Sequence, residues 1–258
     1  METSKKLKGA LNAVKTFKNF KQFSDDYFGR IGKKIILYKL RNGLVMYARP
    51  NRVDAIAIIE TSGDMQYTSE FSIGKNDTVV DIGAHIGSFT LFAAKMAKRV
   101  YAFEPNKDNW ILLKKNIAIN KIKNVTAVNA AVSGKNGFVK LYVNTENTGG
   151  HRLDNKYFSK AVSIKSVNLQ SIVKQAGGKI DFLKVDCEGA EYDILFKGKN
   201  VLDRVSKMAL EYHDTKDFNE EEGKKKLCEF LKKTGFTVKI SKKYPVLYAS
   251  RPIFIQPE

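Results

Sequence analysis

The sequence predicts a doubly wound α/β fold: a mostly parallel sheet closed by an antiparallel C-terminal pair, preceded by an N-terminal helix and hairpin. From Thr78 onward, short apolar runs alternate with helical stretches, the pattern of parallel strands joined by crossover helices. The first of these runs ends in Asp81-Ile82-Gly83-Ala84-His85-Ile86-Gly87, a glycine loop at the carboxyl end of a strand, where open α/β sheets bind ligands. Upstream, Asn42-Gly43 stands between two β-rich runs, Ile35–Tyr38 and Leu44–Tyr47, and favours a tight hairpin turn.

In chain order, residues 5–23 place Leu7, Leu11, Val14 and Phe17 near helical spacing, with Lys5, Lys6, Lys8, Lys15, Lys18 and Lys21 around them. This pattern predicts a basic amphipathic helix packed on the main domain, with docking to a membrane surface or nucleic acid as the alternative. Parallel strands are expected at Thr78–Ile82, Val100–Glu104, Val125–Asn129, Ile180–Asp186 and Met208–Tyr212. The helices between and after them should cover Ser88–Ala97, Lys107–Asn120, Asn168–Gln175, Ala190–Phe196 and Asn219–Lys233. Phe138–Val143 and Val162–Val167 alternate apolar and polar residues, as half-buried strands at a sheet margin do. Thr237–Ile240 and Val246–Ile255 should form the antiparallel pair. The expected organisation is an extension over residues 1–65 and a ligand-binding domain over residues 66–258.

A chain of 258 residues with 43% hydrophobic residues can bury one large core. No run reaches the roughly 18 apolar residues that span a bilayer, and lysines interrupt residues 1–30, so a cytoplasmic location is expected. Cys187 and Cys228 have neither metal-type nor disulfide-framework spacing. The net charge of +18 would attract nucleic acid, anionic lipid or acidic glycan without choosing among them.

The glycine loop has the spacing G-x-x-x-G rather than the dinucleotide-binding G-x-G-x-x-G, which argues against a nicotinamide cofactor. Glu104 ends the next strand about 20 residues on, where a carboxylate accepts hydrogen bonds from both ribose hydroxyls. Asn129-Ala130-Ala131, after the third strand, offers a polar edge contact and a flat wall for an adenine ring.

This combination resembles the class I methyltransferases. Lys184-Val185-Asp186-Cys187-Glu188-Gly189-Ala190-Glu191, followed by Ile194-Leu195, resembles the K-I-D-V-E-G-x-E signature of the FkbM family. Tyr101 to Asn106 and Glu211-Tyr212-His213 extend the resemblance over roughly residues 60 to 215. It implies a Rossmann-like fold, S-adenosylmethionine as cofactor, and O-methylation of a hydroxyl on a glycan or small metabolite. Asp81, Gly83, Ala84, His85, Gly87, Glu104, Asn129 and Ala130 are the expected cofactor contacts, with the donor's amino-acid tail near the loop. His85 stands where many relatives carry Asn.

Methyl transfer to a hydroxyl needs the nucleophile held in line and a base or cation beside it. Asp186 and Glu188 leave one strand end two residues apart, and Glu211 and His213 another, so the four should converge. His213 is the preferred base, because an ordinary imidazole titrates nearest neutrality. The same four would also hold a divalent cation, a less favoured reading. Glu191 is expected to act locally at its helix N-terminus. His151 and Arg152, after Thr148-Gly149-Gly150, would reach substrate from a mobile loop. Two further functions compete. An RNA methyltransferase fits the charge, but Asp186-Cys187-Glu188-Gly189 replaces the base-reading Asn/Asp-Pro-Pro-aromatic motif. A binding module would keep the fold without turnover.

Overall fold

The structure is a computed structural model that describes residues 11–32, 34–50, 53–144, 147–157 and 160–251. Strands β1 (Ile36–Lys39) and β2 (Val45–Ala48) form the expected hairpin around Asn42-Gly43. The main sheet contains β3 (Thr78–Ile82), β4 (Arg99–Phe103) and β5 (Val125–Val128). A small separate sheet follows, built from β6 (Ala131–Val132), β7 (Gly137–Tyr142) and β8 (Ala161–Val167). The main sheet resumes with β9 (Ile180–Val185), β10 (Val205–Glu211), β11 (Thr237–Ile240) and β12 (Val246–Ser250). Its order is β11-β12-β10-β9-β3-β4-β5, parallel from β10 to β5, with β12 antiparallel to β10 and to β11. The chain winds outward from β3 to β5 and later from β9 to β10, so the winding reverses between β3 and β9. Ligands bind at the carboxyl ends of strands flanking such a reversal.

Helices α1 (Phe20–Tyr27), α2 (Val53–Ser62), α3 (Ser88–Ala94), α4 (Lys107–Ile119), α5 (Leu169–Gln175), α6 (Glu191–Lys197) and α7 (Glu220–Lys233) complete the fold. Asn106, Asn168 and Asn219 cap α4, α5 and α7 through side-chain oxygens on otherwise unpaired amides. The five central strands are apolar on both faces: Val79, Val80, Phe182, Leu183, Ala209 and Leu210 are all buried.

Three expectations are corrected. The single helix over residues 5–23 is broken: residues 11–16 are helical, Phe17 bridges Leu40, and α1 follows. Phe17 is drawn into the core between Phe23 and Tyr38, and its strand-like bridge is incompatible with a continuing helix. The buried residues there are Ala13, Thr16, Phe17 and Phe23, while Leu11 and Val14 face solvent. Leu7, Lys5, Lys6 and Lys8 lie outside the described residues. The strands of the insertion belong to their own sheet, not the margin of the main one; alternation marks one solvated face but not the partner strand. The helix α2, with most of its apolar residues β-branched, was not expected. Of the last predicted strand, residues 252–255 lie outside the described ones.

The hairpin is fastened to the main sheet's outer layer by Asn116 of α4 and by Asn120, which caps the C-terminus of that helix. The Asn116 side chain accepts from Tyr47 N (2.7 Å) and donates to Tyr47 O (3.0 Å) and Ile86 O (2.9 Å), while Asn120 Oδ1 accepts from Val45 N (2.9 Å). These bonds satisfy the free edge of β2. Replacing the fully buried Asn116 by Ala strands three backbone groups, so a loss of about 2–4 kcal/mol is expected. Thermal denaturation should show a midpoint about 5–10 °C lower, and an unchanged midpoint would remove this anchoring role.

Candidate active site

A cavity of about 350 Å³ opens at the carboxyl ends of β3, β4, β9 and β10, within the size range of small-ligand sites. Its floor is the contact between two loops. Gly83 has φ +77°, and a Cβ there would stand 1.7 Å from the Asp186 carbonyl oxygen, so only glycine fits. Lys184, 3% exposed, lies beneath this contact: Nζ donates to Gly83 O at 2.7 Å and pairs with Asp81 Oδ1 (3.2 Å) and Asp186 Oδ2 (3.3 Å). Burial opposes its charge, yet Asp81 and Asp186 hold its pKa above the ordinary lysine value.

One end of the cavity is built around Glu104, which is 4% exposed. Glu104 Oε2 accepts from His85 N (2.8 Å), and Oε1 accepts from Asn106 N (2.8 Å) and Asn109 Nδ2 (3.3 Å). Burial raises its pKa despite His85 and these donors. The glycine loop shapes the wall rather than offering its amides. Gly83 and Ala84 N–H both donate to Phe103 O at 3.0 Å, and Gly87 N–H donates to Ala84 O. Asp81 is fully buried, accepts from Thr90 Oγ1 (2.5 Å) and braces the floor without lining the cavity. Gly87 is likewise internal, in left-handed conformation before α3. Asn129 Nδ2 donates to Glu104 O and Pro105 O, and Ala130 is buried; the neighbouring Ala131 and Val132 line the cavity instead. Asn109, which no sequence motif singled out, lines it with a buried Oδ1 that accepts no hydrogen bond among the described residues.

At the other end Asp186, Glu188, Glu211 and His213 do converge. The turn after β9, with Glu188 at φ +55°, brings the first two together, not strand alternation. His213 Nε2 stands 4.0 Å from Asp186 Oδ1, 3.9 Å from Glu188 Oε2 and 3.9 Å from Glu211 Oε1. His213 Nδ1 donates to Glu191 Oε1 at 2.9 Å, and that oxygen also accepts from Cys187 N. Glu191 is therefore a tie between two strand-end loops, not a residue acting locally on its helix. Burial opposes charging His213, but Glu191, Glu188 and Asp186 push its pKa up to about 10. The surrounding carboxylates thus favour the charged ring and move it away from the near-neutral titration expected of a base. Burial and the charge of Asp186 raise Glu211 to about 8, and burial raises Glu188 to about 7.

A sequence profile described as "Methyltransferase FkbM domain" matches residues 81–238, more than half of the chain. The chain belongs to the FkbM methyltransferase family. It is 26% identical over 158 residues to methyltransferase sdnD of Sordaria araneosa, covering 48% of this chain and 61% of that one. It is also 26% identical over 202 residues to AMB antimetabolite synthetase AmbE of Pseudomonas aeruginosa, 63% of this chain and 10% of that one. The chain thus spans less than two thirds of the length of these curated relatives. Among solved structures, methyltransferase FkbM from Methylobacillus flagellatus KT shares the fold with a TM-score of 0.50 at 15% identity, over 70% of this chain and 45% of that one.

Several cavity residues of this FkbM chain precede the matched span. From α2 come Val53, Ile56, Ala57, Glu60 and Thr61, at i, i+3, i+4, i+7 and i+8, a periodicity that would have revealed the helix. The Tyr67 hydroxyl lies 2.9 Å from Asp186 Oδ2 and 2.7 Å from Glu211 Oε2, donating its one proton to either, and Gln66 Nε2 donates to Glu211 Oε2 (2.7 Å). His85 turns its ring toward Asp54 (3.2 Å), Arg49 (3.2 Å) and Thr148 (3.4 Å), joining the glycine loop to α2 and the insertion. Of the two insertion residues singled out, His151 lines the cavity and Arg152 does not. Arg152 binds Asp154 (2.8 Å) and Asp214 O (2.5 Å), with Glu188 at 3.9 Å.

His151 Nδ1 accepts from Asn144 N at 3.1 Å, which requires a neutral ring. Burial, with the nearby charges of His85 and Arg49, pushes its pKa from 6.5 down to about 4. The unfolded chain therefore binds a proton that the folded chain refuses between these values. This contribution to stability is complete above pH 6.5 and is lost as the pH falls toward 4. The protection of the Asn144 amide, corrected for the intrinsic pH dependence of exchange, should fall as the pH drops to 4 in the wild type, and that fall should be absent in His151→Gln.

Proposed function

We propose that this FkbM-family enzyme transfers a methyl group from S-adenosylmethionine to a hydroxyl of a glycan or small metabolite. The observation that carries the reading is the polarity of one cavity, with Glu104 and Asn109 at one end and the Asp186, Glu188, Glu211 and His213 group at the other. The first end suits a nucleoside: a buried carboxylate with acceptor capacity, an unpaired amide oxygen, and the apolar wall of Ala131 and Val132. Bound there, S-adenosylmethionine would supply an electrophilic methyl carbon. The bond from carbon to sulfur breaks, a bond to the acceptor oxygen forms, and the hydroxyl proton leaves to the protein. Asp186, Glu188, Glu211 and His213 orient that hydroxyl and take part in removing its proton.

A lining of Asp186, Glu188 and Glu211 offers hydrogen bonds to a neutral hydroxylated acceptor, whereas the phosphodiesters of RNA are held by basic side chains. Replacing Glu104 by Ala should weaken S-adenosylmethionine binding by about 1–3 kcal/mol, or about 5- to 150-fold, in calorimetry. Unchanged affinity would sink the ribose role of Glu104. His213→Ala should keep donor affinity and lower turnover by about 10²–10⁴-fold. Labelled methyl donor offered with glycans, hydroxylated metabolites and RNA should label a hydroxyl oxygen of one of the first two. Labelling of RNA alone would overturn the acceptor class.

A further inference from the structure

At the acidic end of the cavity, the hydrogen bonds are arranged around a gap. His213 is held through Nδ1 by Glu191, which aims Nε2 away from that carboxylate. Asp186 and Glu211 are held through one oxygen each: Oδ2 by Tyr67 and Lys184, Oε2 by Tyr67 and Gln66. The remaining atoms, His213 Nε2, Asp186 Oδ1 and Glu211 Oε1, make no hydrogen bond among the described residues. The nitrogen lies 4.0 and 3.9 Å from the two oxygens, too far for a hydrogen bond. One ligand atom from each residue falls within 4.8 Å of the others.

Ligand atoms bonded to one ion at about 2.0–2.2 Å lie about 3 to 4.3 Å apart, so a small inward movement would close this set on a common centre. The surrounding layer points the same way. Metal-ligating histidines donate their other ring N–H to a carboxylate, and ligating carboxylates are themselves hydrogen-bonded from outside. Glu191 fills the first role: it is fully buried, does not belong to the converging set, and its Oε2 has no hydrogen-bond partner among the described residues. Tyr67 and Gln66 fill the second.

We propose that Asp186, Glu211 and His213 form a divalent-cation site, with Glu191, Tyr67 and Gln66 as its positioning residues. One nitrogen and two carboxylate oxygens suit an ion such as Mn²⁺, which would take the place of the Nε2 proton and release it to solvent, and three protein ligands leave open positions. The site deepens the methyltransferase reading, since an ion here would bind the acceptor's hydroxyl oxygen and lower its pKa.

The test uses the full chain, stripped with chelator and titrated with Mn²⁺, with bound ion read by loss of the free-ion electron paramagnetic resonance signal. The expected result is one saturable Mn²⁺ per chain, displaced by excess Mg²⁺. His213→Ala and Glu211→Gln should abolish saturable binding, and Glu191→Gln should weaken it about 10- to 100-fold. Circular dichroism and S-adenosylhomocysteine binding confirm that each variant is folded. If the wild type takes up no Mn²⁺ at millimolar concentration, or if His213→Ala and Glu211→Gln both bind as tightly as wild type, the proposal is overturned. Because Mn²⁺ uptake is read without turnover, the two readings fail separately. S-adenosylhomocysteine binding without Mn²⁺ binding removes the metal site alone, and the reverse removes the methyl-donor reading alone.

Discussion

The site depends on one buried ammonium. Lys184 lies under the loop ends of β3 and β9, where two strands of the same sheet turn over the same spot. Asp81 and Asp186 both direct carboxylate oxygens at it, within 3.3 Å. Burial opposes an ammonium at this place, and the two carboxylates beside it favour its charge. Because Nζ also donates to Gly83 O, it pins the glycine loop to the β9 strand that carries Asp186. The close approach of Gly83 to the Asp186 carbonyl, and hence the shape of the cavity floor, follows from that pinning.

Much of the fold was legible because its signals are local. Thr78–Ile82 falls on the predicted strand, and the other parallel strands lie within about three residues of their expected ends, since runs buried on both faces have sharp polar borders. The helices expected from Lys107, Asn168 and Asn219 also begin within one residue of those positions. Long-range choices left weaker traces. Phe17 leaves the helical path because Phe23 and Tyr38 make a slot for it, and no local pattern encodes a slot assembled from residues elsewhere in the chain. The alternation in β7 and β8 disclosed a solvated face, with Phe138 exposed on it opposite Lys165, but not that the partner would be Ala131–Val132.

The site was legible by residue type and less so by role. Asp186, Glu188, Glu211 and His213 stand together, since the ends of β9 and β10 meet at one edge and the turn after β9 brings Glu188 back beside Asp186. Their protonation was not readable, because the state of His213 is set by Glu191, on the far side of a turn, and by burial. Tyr67 and Gln66 carried no motif at all. They matter by reaching the backs of two carboxylates from a segment more than 100 residues earlier in the chain.

Net charge proved a poor guide to chemistry for a physical reason. The +18 of the whole chain governs the field beyond about 10 Å of solvent, where salt begins to screen it. Inside the cavity the nearest groups dominate, and toward β10 these are Glu60, Asp186, Glu188 and Glu211. The field that acts on a molecule at the surface is therefore not the one it meets at the carboxyl-rich end of the cavity. There, interactions at 3 to 4 Å in a partly dry pocket outweigh a screened field. The same short range explains why the tie from Glu191 to His213 has consequences out of proportion to one hydrogen bond: it fixes which ring nitrogen the acidic end of the cavity sees.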